Sequence, residues 1–210
     1  MKIVKLQYMD ELHSKRMAAF TKQYSFFYLD SVEKFQRNLR IIYIIGFVFF
    51  LPFLYVIVNP NIAPLVDETN TTLEIFMTII ALFLGTQVII GIHELIHLVA
   101  FPRGWRKKYI VFKRPMIYAV YDGFVSKKRG LISLMAPFAI ITSVLIISLF
   151  VFSFNMSVIL ALFITNSIAS LQDIYVFFSS LKNAPKNSYS YGNAFTTDIT
   201  KEKYKELMQP

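Results

Sequence analysis

Residues 93–97 read His93-Glu94-Leu95-Ile96-His97, two histidines four positions apart with a glutamate directly after the first. On a helix, side chains four apart leave from one face. Both imidazoles can therefore grip a single zinc ion, and Glu94 stands where a carboxylate can take the proton of a water activated there. Two of the chain's three histidines lie in this stretch. The stretch is also set in a long apolar segment, where a titratable side chain near mid-bilayer costs roughly 2.5–3.5 kcal/mol on insertion scales and so asks for a reason. The alternative, a pair of histidines hydrogen-bonded between helices, leaves Glu94 without a role.

Two histidines do not complete a catalytic zinc site, which usually has three protein ligands and a water. The chain has no cysteine, so disulfides and thiolate sites are excluded and any ligands are nitrogen or oxygen. Among the apolar segments the acidic residues are Glu74 at an outer edge, Glu94 in the motif, and Asp173 deep in the last one. Asp173 is the third-ligand candidate, with a structural hydrogen-bonding role as its alternative. The segment carrying the histidines ends at Arg103 and the one carrying Asp173 ends at Lys182. At 1.5 Å per helical residue all three side chains then share a level, on the order of 10–15 Å below one interface. Asn166 and Ser170 precede Asp173 at helical spacing. Asn166 is a candidate contact for a substrate carbonyl or developing oxyanion; a helix–helix hydrogen bond is the plainer reading for it and for Ser170. Gly91, one turn before Glu94, offers either close approach of another helix or a substrate strand, or ordinary small-residue packing.

The elements that must position these residues are membrane spans. The chain of 210 residues is 55% hydrophobic and only 17% charged, with a mean hydropathy of +0.50. A soluble domain is rarely so apolar. Four segments reach the roughly 20 residues a bilayer requires: 41–58, with Pro52 as a kink, 73–101, 131–154 and 156–181. The last two are joined by a tight turn near Asn155 and form a hairpin. All 22 lysines and arginines fall within 1–40, 103–130 and 182–210, while 59–72 has none and carries Asp67 and Glu68. That alternation obeys the positive-inside rule and puts both termini in the cytoplasm. The net charge of +9 then reflects orientation and attraction to anionic lipid, not nucleic-acid binding. No cleavable signal peptide is visible, and the first span would act as an uncleaved anchor.

The expected fold class is an all-α integral membrane protein: four transmembrane helices with a small cytoplasmic β-hairpin or sheet between spans two and three. Residues 1–40 form a cytoplasmic N-terminal segment of one or two helices, 41–181 the membrane domain, and 182–210 a cytoplasmic tail whose start, rich in Asn, Ser, Pro and Tyr, reads as flexible. In the basic loop, 109–112 and 116–121 are β-type runs, and Asp122-Gly123 is placed to turn the chain back into Phe124-Val125.

The HELIH within a span, the basic β-containing loop, Met135-Ala136-Pro137 near the start of span three and the deep aspartate of a later span resemble membrane zinc proteases of the site-2 type. The closer resemblance is to a small bacterial membrane-zincin family of unknown function, whose members pair an HELxH span with a later Gly-Asp-Ile-Tyr-like element. Here that element reads Gln172-Asp173-Ile174-Tyr175. The resemblance covers roughly residues 73–181. It implies His93, His97 and Asp173 as zinc ligands and Glu94 as catalytic base. The Asn-Pro-rich stretch and the Leu-Asp-Gly of site-2 proteases are absent, and the loops have no room for a PDZ-like domain.

The function expected is peptide-bond hydrolysis in or near the plasma membrane of a bacterium, by a zinc-activated water, on a membrane-protein or peptide substrate. The strand around Met116–Tyr121 is placed to hold such a substrate extended by strand addition. One rival is a non-enzymatic partner-binding or resistance protein with a vestigial metal site. A metal transporter is the weaker rival, because spans one and three offer little beyond hydroxyls such as Thr142, Ser143 and Ser148.

Overall fold

The computed structural model describes residues 2–28, 32–58, 72–102, 108–113, 116–151, 156–192, 194–200 and 202–204. The acidic loop expected at 59–72 lies outside the described residues apart from Thr72. The turn near Asn155 lies outside them altogether, as do the loop cations Arg103, Arg106, Lys107 and Arg114. In chain order the elements are β1 (Lys2–Lys5), α1 (Leu6–Phe20), β2 (Phe27–Tyr28), α2 (Val32–Val58), α3 (Thr72–Ala100), β3 (Lys108–Lys113), β4 (Met116–Tyr121), β5 (Val125–Ser126), α4 (Lys127–Val151), α5 (Met156–Ala169), α6 (Leu171–Asn183), β6 (Tyr189–Tyr191) and β7 (Ala194–Thr196). The molecule is mostly helical. Among the described residues, three helices are long and apolar enough to cross a membrane, or up to four spans if the bent pair α5 and α6 counts as one.

The chain divides into two units. One comprises Gln36–His93 and Pro137–Gln172 and holds the apolar helices. Many of its aliphatic and aromatic side chains point outward: Ile44 on α2 is 64% exposed, and Phe150 on α4 is 85% exposed. Such surfaces suit lipid, where no hydrophobic gain draws Leu or Phe inward and close packing decides association. The packing is visible at Gly46, where an added Cβ would come within 2.6 Å of the Leu171 side chain, which would have to shift to make room. Phe50 and Ile164 are buried together against Leu160, Ala161 and Phe163.

The other unit comprises Met1–Phe35, Glu94–Ala136 and Asp173–Pro210. It contains two small sheets where the sequence predicts one. The first has the order β1-β3-β4, with β1 parallel to β3 and β3 antiparallel to β4. Met9 of α1 is buried against Tyr109 and Val111 of β3. The second has the order β2-β7-β6-β5, antiparallel throughout. Its core is aromatic: Phe124, Tyr189, Tyr191 and Ile199, flanked by Met17, Phe20, Tyr24, Phe26 and Tyr204. The buried Asp122 accepts a hydrogen bond from Tyr191 Oη at 2.6 Å and pairs with Arg16 at 3.1 Å, tying β6 to α1.

Three expectations are corrected. Asp122-Gly123 does not turn β4 back on itself: the hairpin is β3–β4, and β5 pairs with β6 in the other sheet. The start of the tail is not a loose segment, because Tyr189–Tyr191 and Ala194–Thr196 pair as neighbouring strands. The final apolar stretch is not one straight helix. It breaks between α5 and α6 with a bend of 45°, where Ser170 Oγ donates to the Asn166 carbonyl at 2.7 Å.

Candidate metal centre

His93, Glu94 and His97 occupy consecutive turns of α3. Apolar residues around them drive the helix, and both imidazoles are buried, at 2% and 7% exposure. Asp173 lies in the first turn of α6, where the positive end of the helix dipole favours a carboxylate. The ligand atoms of His93, His97 and Asp173 all lie within 4.8 Å of one another. The helix break thus coincides with the acidic candidate and gives it a helix N-terminus of its own.

The two rings are oriented by different means. His97 Nδ1 lies 2.9 Å from the Ser133 carbonyl oxygen. A carbonyl only accepts, so Nδ1 carries the proton and donates it, leaving Nε2 for other chemistry. Nε2 lies 3.2 Å from Asp173 Oδ2. Two lone-pair acceptors held that close repel unless a proton or a cation lies between them. Ligands of a tetrahedral zinc at about 2.0–2.1 Å are themselves roughly 3.3 Å apart, so the donor types and the His97–Asp173 spacing fit the ion. His93 Nδ1 lies 3.4 Å from Asn166 Oδ1, and Asn166 Nδ2 donates to Thr142 Oγ1 at 3.2 Å. Asn166 is fully buried, and its side-chain amide is engaged at both ends.

Glu94 Oε2 accepts the Ala119 backbone N–H at 2.6 Å. Ala119 pairs with Ile110 in β3, and β4 is an edge strand of its sheet. Amide directions alternate along a strand. The outer edge of β4, with the N–H groups of Ile117, Ala119 and Tyr121, therefore runs beside the glutamate. The sheet is fastened to the end of α3 by Lys108, a buried residue whose ammonium donates to the Leu98 and Phe101 carbonyls. A cation there complements the negative end of the helix. Burial, aided by the Arg129 charge, lowers its pKa from the usual lysine value.

Gly91 faces open space among the described residues: a Cβ there would meet nothing within 4 Å. Among the described residues, neither close helix approach nor small-residue packing accounts for it. Sequence reasoning missed the Ser133 carbonyl, the Thr142 hydroxyl as partner of Asn166, the Ala119 amide and Lys108. Among these, Lys108 is the side chain that carried a readable signal, as a cation opening a β run shortly after a helix end.

Comparisons of the chain with curated proteins and with solved structures find no match. Over residues 86–189, which contain the histidine pair, Glu94 and Asp173, the chain is similar to a family described as "Putative zincin peptidase".

Proposed function

We propose that this chain is a zinc-dependent peptidase that spans the membrane four times, with both termini in the cytoplasm, and cleaves a peptide bond within or close to the bilayer. The observation that carries the reading is the convergence of His93, His97 and Asp173 with Glu94 on the adjoining turn. The similarity to a zincin family supports it. The relation to site-2 proteases is part of this proposal and rests on the motif's place in an apolar helix.

His93, His97 and Asp173 would hold the ion. Zinc bound there would supply Lewis-acid polarisation of the substrate carbonyl and a water acidified toward a pKa of about 7. Glu94 accepts the proton of the attacking water as the water oxygen bonds to the scissile carbon. The same carboxylate then hands the proton to the departing amine as the C–N bond breaks. The outer edge of β4 binds the substrate extended, through backbone hydrogen bonds that a helical substrate makes only after unwinding. In that complex the Ala119 N–H turns from Glu94 to the substrate backbone, which frees the carboxylate for the water.

The test compares new peptide termini in membranes from cells making wild type or Glu94→Gln. Glu94→Gln should abolish the fragments, a drop of roughly 10²–10⁴-fold in rate, while zinc content is unchanged. Fragments at wild-type levels would favour a binding or structural role. Proline substitutions at Ile117 or Ala119 should remove cleavage with the zinc retained; intact cleavage would exclude strand addition at β4.

A further inference from the structure

Pro137 sits inside α4, one residue beyond Met135-Ala136, and is almost wholly buried. Proline has no backbone N–H, so in a helix it leaves the carbonyl four residues earlier without its intrahelical donor, and its ring pushes that carbonyl aside. Four residues before Pro137 is Ser133. The Ser133 carbonyl is the group that accepts the His97 Nδ1 proton at 2.9 Å. Ser133 is itself buried, at 2% exposure. A buried carbonyl without a donor is costly, and more so in a membrane. The histidine satisfies the orphaned carbonyl, and the carbonyl fixes which ring nitrogen of the histidine is protonated.

We propose that Pro137 is a positioning residue for the metal site: by removing one helical N–H it dedicates the Ser133 carbonyl to His97, so that His97 Nε2 faces Asp173. The proposal rests on the metal-site reading above. It also explains a proline deep in an apolar helix by something other than a bend. The structure offers an internal control. Pro52 lies inside α2, and the carbonyl four residues before it belongs to Val48, in a helix without histidine.

The experiment uses the full-length protein in detergent, as wild type, Pro137→Ala, Pro137→Gly and Pro52→Ala. Both Pro137 variants return the missing N–H, and Ala is a strong helix former, so loss of fold is not the expected failure. Zinc affinity is read by competition with a chelator. The His97 Nδ1 proton is read by nitrogen-15 NMR on metal-free protein, which is tractable with three histidines in the chain. Expected is a slowly exchanging Nδ1 proton on His97 in wild type and Pro52→Ala, lost in both Pro137 variants, with zinc affinity 10–100-fold weaker, the usual cost of removing such an orienting partner. A merely structural proline would give unchanged or higher helix stability with no change in either reading. Wild-type zinc affinity and wild-type proton exchange in Pro137→Ala would overturn the proposal while leaving the metal site intact. Absence of zinc binding in wild type would overturn the site reading, and the proton exchange would still decide the role of Pro137.

Discussion

The two units of this chain solve opposite solvent problems with similar residues. In the helical unit, large apolar side chains such as Ile44, Phe83 and Phe150 face outward. In the other, aromatics face inward around Phe124 and Tyr191, with an Arg16–Asp122–Tyr191 network holding α1 to a sheet. The difference lies in what closes the backbone hydrogen bonds. A helix closes its own and can turn apolar side chains out to lipid, whereas strands of two to six residues must find partners and bury a face. The same substitution type should therefore fail in one unit and pass in the other.

The largest stability effect is expected in the helical unit. Ile140, 49% exposed on α4, should tolerate Leu or Phe, but Ile140→Arg should cost about 2.5–3.5 kcal/mol of membrane insertion, read as the inserted fraction in a glycosylation-mapping assay. Equal insertion of the Arg variant would mean that this face does not meet lipid. Next is Tyr191→Phe in the sheet unit. It leaves the buried Asp122 carboxylate without its phenolic donor and should cost about 2 kcal/mol, measured by hydrogen exchange of β6 and β7.

The same tyrosine sharpens the contrast through pH. Burial, reinforced by the hydrogen bond to Asp122, raises the Tyr191 pKa above the usual 10, and burial raises Tyr121 and Tyr204 as well. The folded unit keeps protons that the unfolded chain releases. Its stability is therefore full below pH 10 and falls as the pH rises beyond. Tyr191→Phe should reduce that alkaline loss in the exchange of the sheet amides, and an unchanged alkaline profile would refute the assignment.

A smaller effect belongs to Gly192. Its φ of +56° is left-handed, and a Cβ would come within 2.6 Å of His13, whose ring stacks on Tyr191. Gly192→Ala should cost about 1–2 kcal/mol from the backbone alone. At the bottom of the range, Glu11→Arg on the exposed side of α1 should change stability by less than about 0.5 kcal/mol. A charge is unremarkable there, in contrast to position 140.

What the sequence disclosed follows the same division. The apolar helices were legible because hydropathy and the placement of Lys and Arg are local properties. The break at Ser170 was not, since no Gly or Pro marks it and the bend depends on packing around Asn166 and Ser170. The hairpin strands β3 and β4 were visible as β-type runs. Strands β1 and β2 were invisible because a few residues become a strand only when a distant partner supplies the hydrogen bonds. The pair β6–β7 did carry a signal, Gly192-Asn193 between Tyr-Ser-Tyr and Ala-Phe-Thr, masked by a composition that also suits a loop. At the site, His93, Glu94, His97 and Asp173 stood out because their chemistry is expensive in an apolar helix. The group that orients His97 is a backbone carbonyl, which no residue type announces. Its trace in the sequence is Pro137, four positions on.

The central claim is that three side chains form one metal site. It is tested most directly by the zinc content of purified, detergent-solubilised protein, wild type beside His97→Ala and Asp173→Ala, with helicity as a check on the fold. We expect close to one zinc per chain in wild type, lost in both variants at unchanged helicity. A wild type that takes up no zinc after zinc-replete purification, or an Asp173→Ala variant that binds as tightly as wild type, would contradict it.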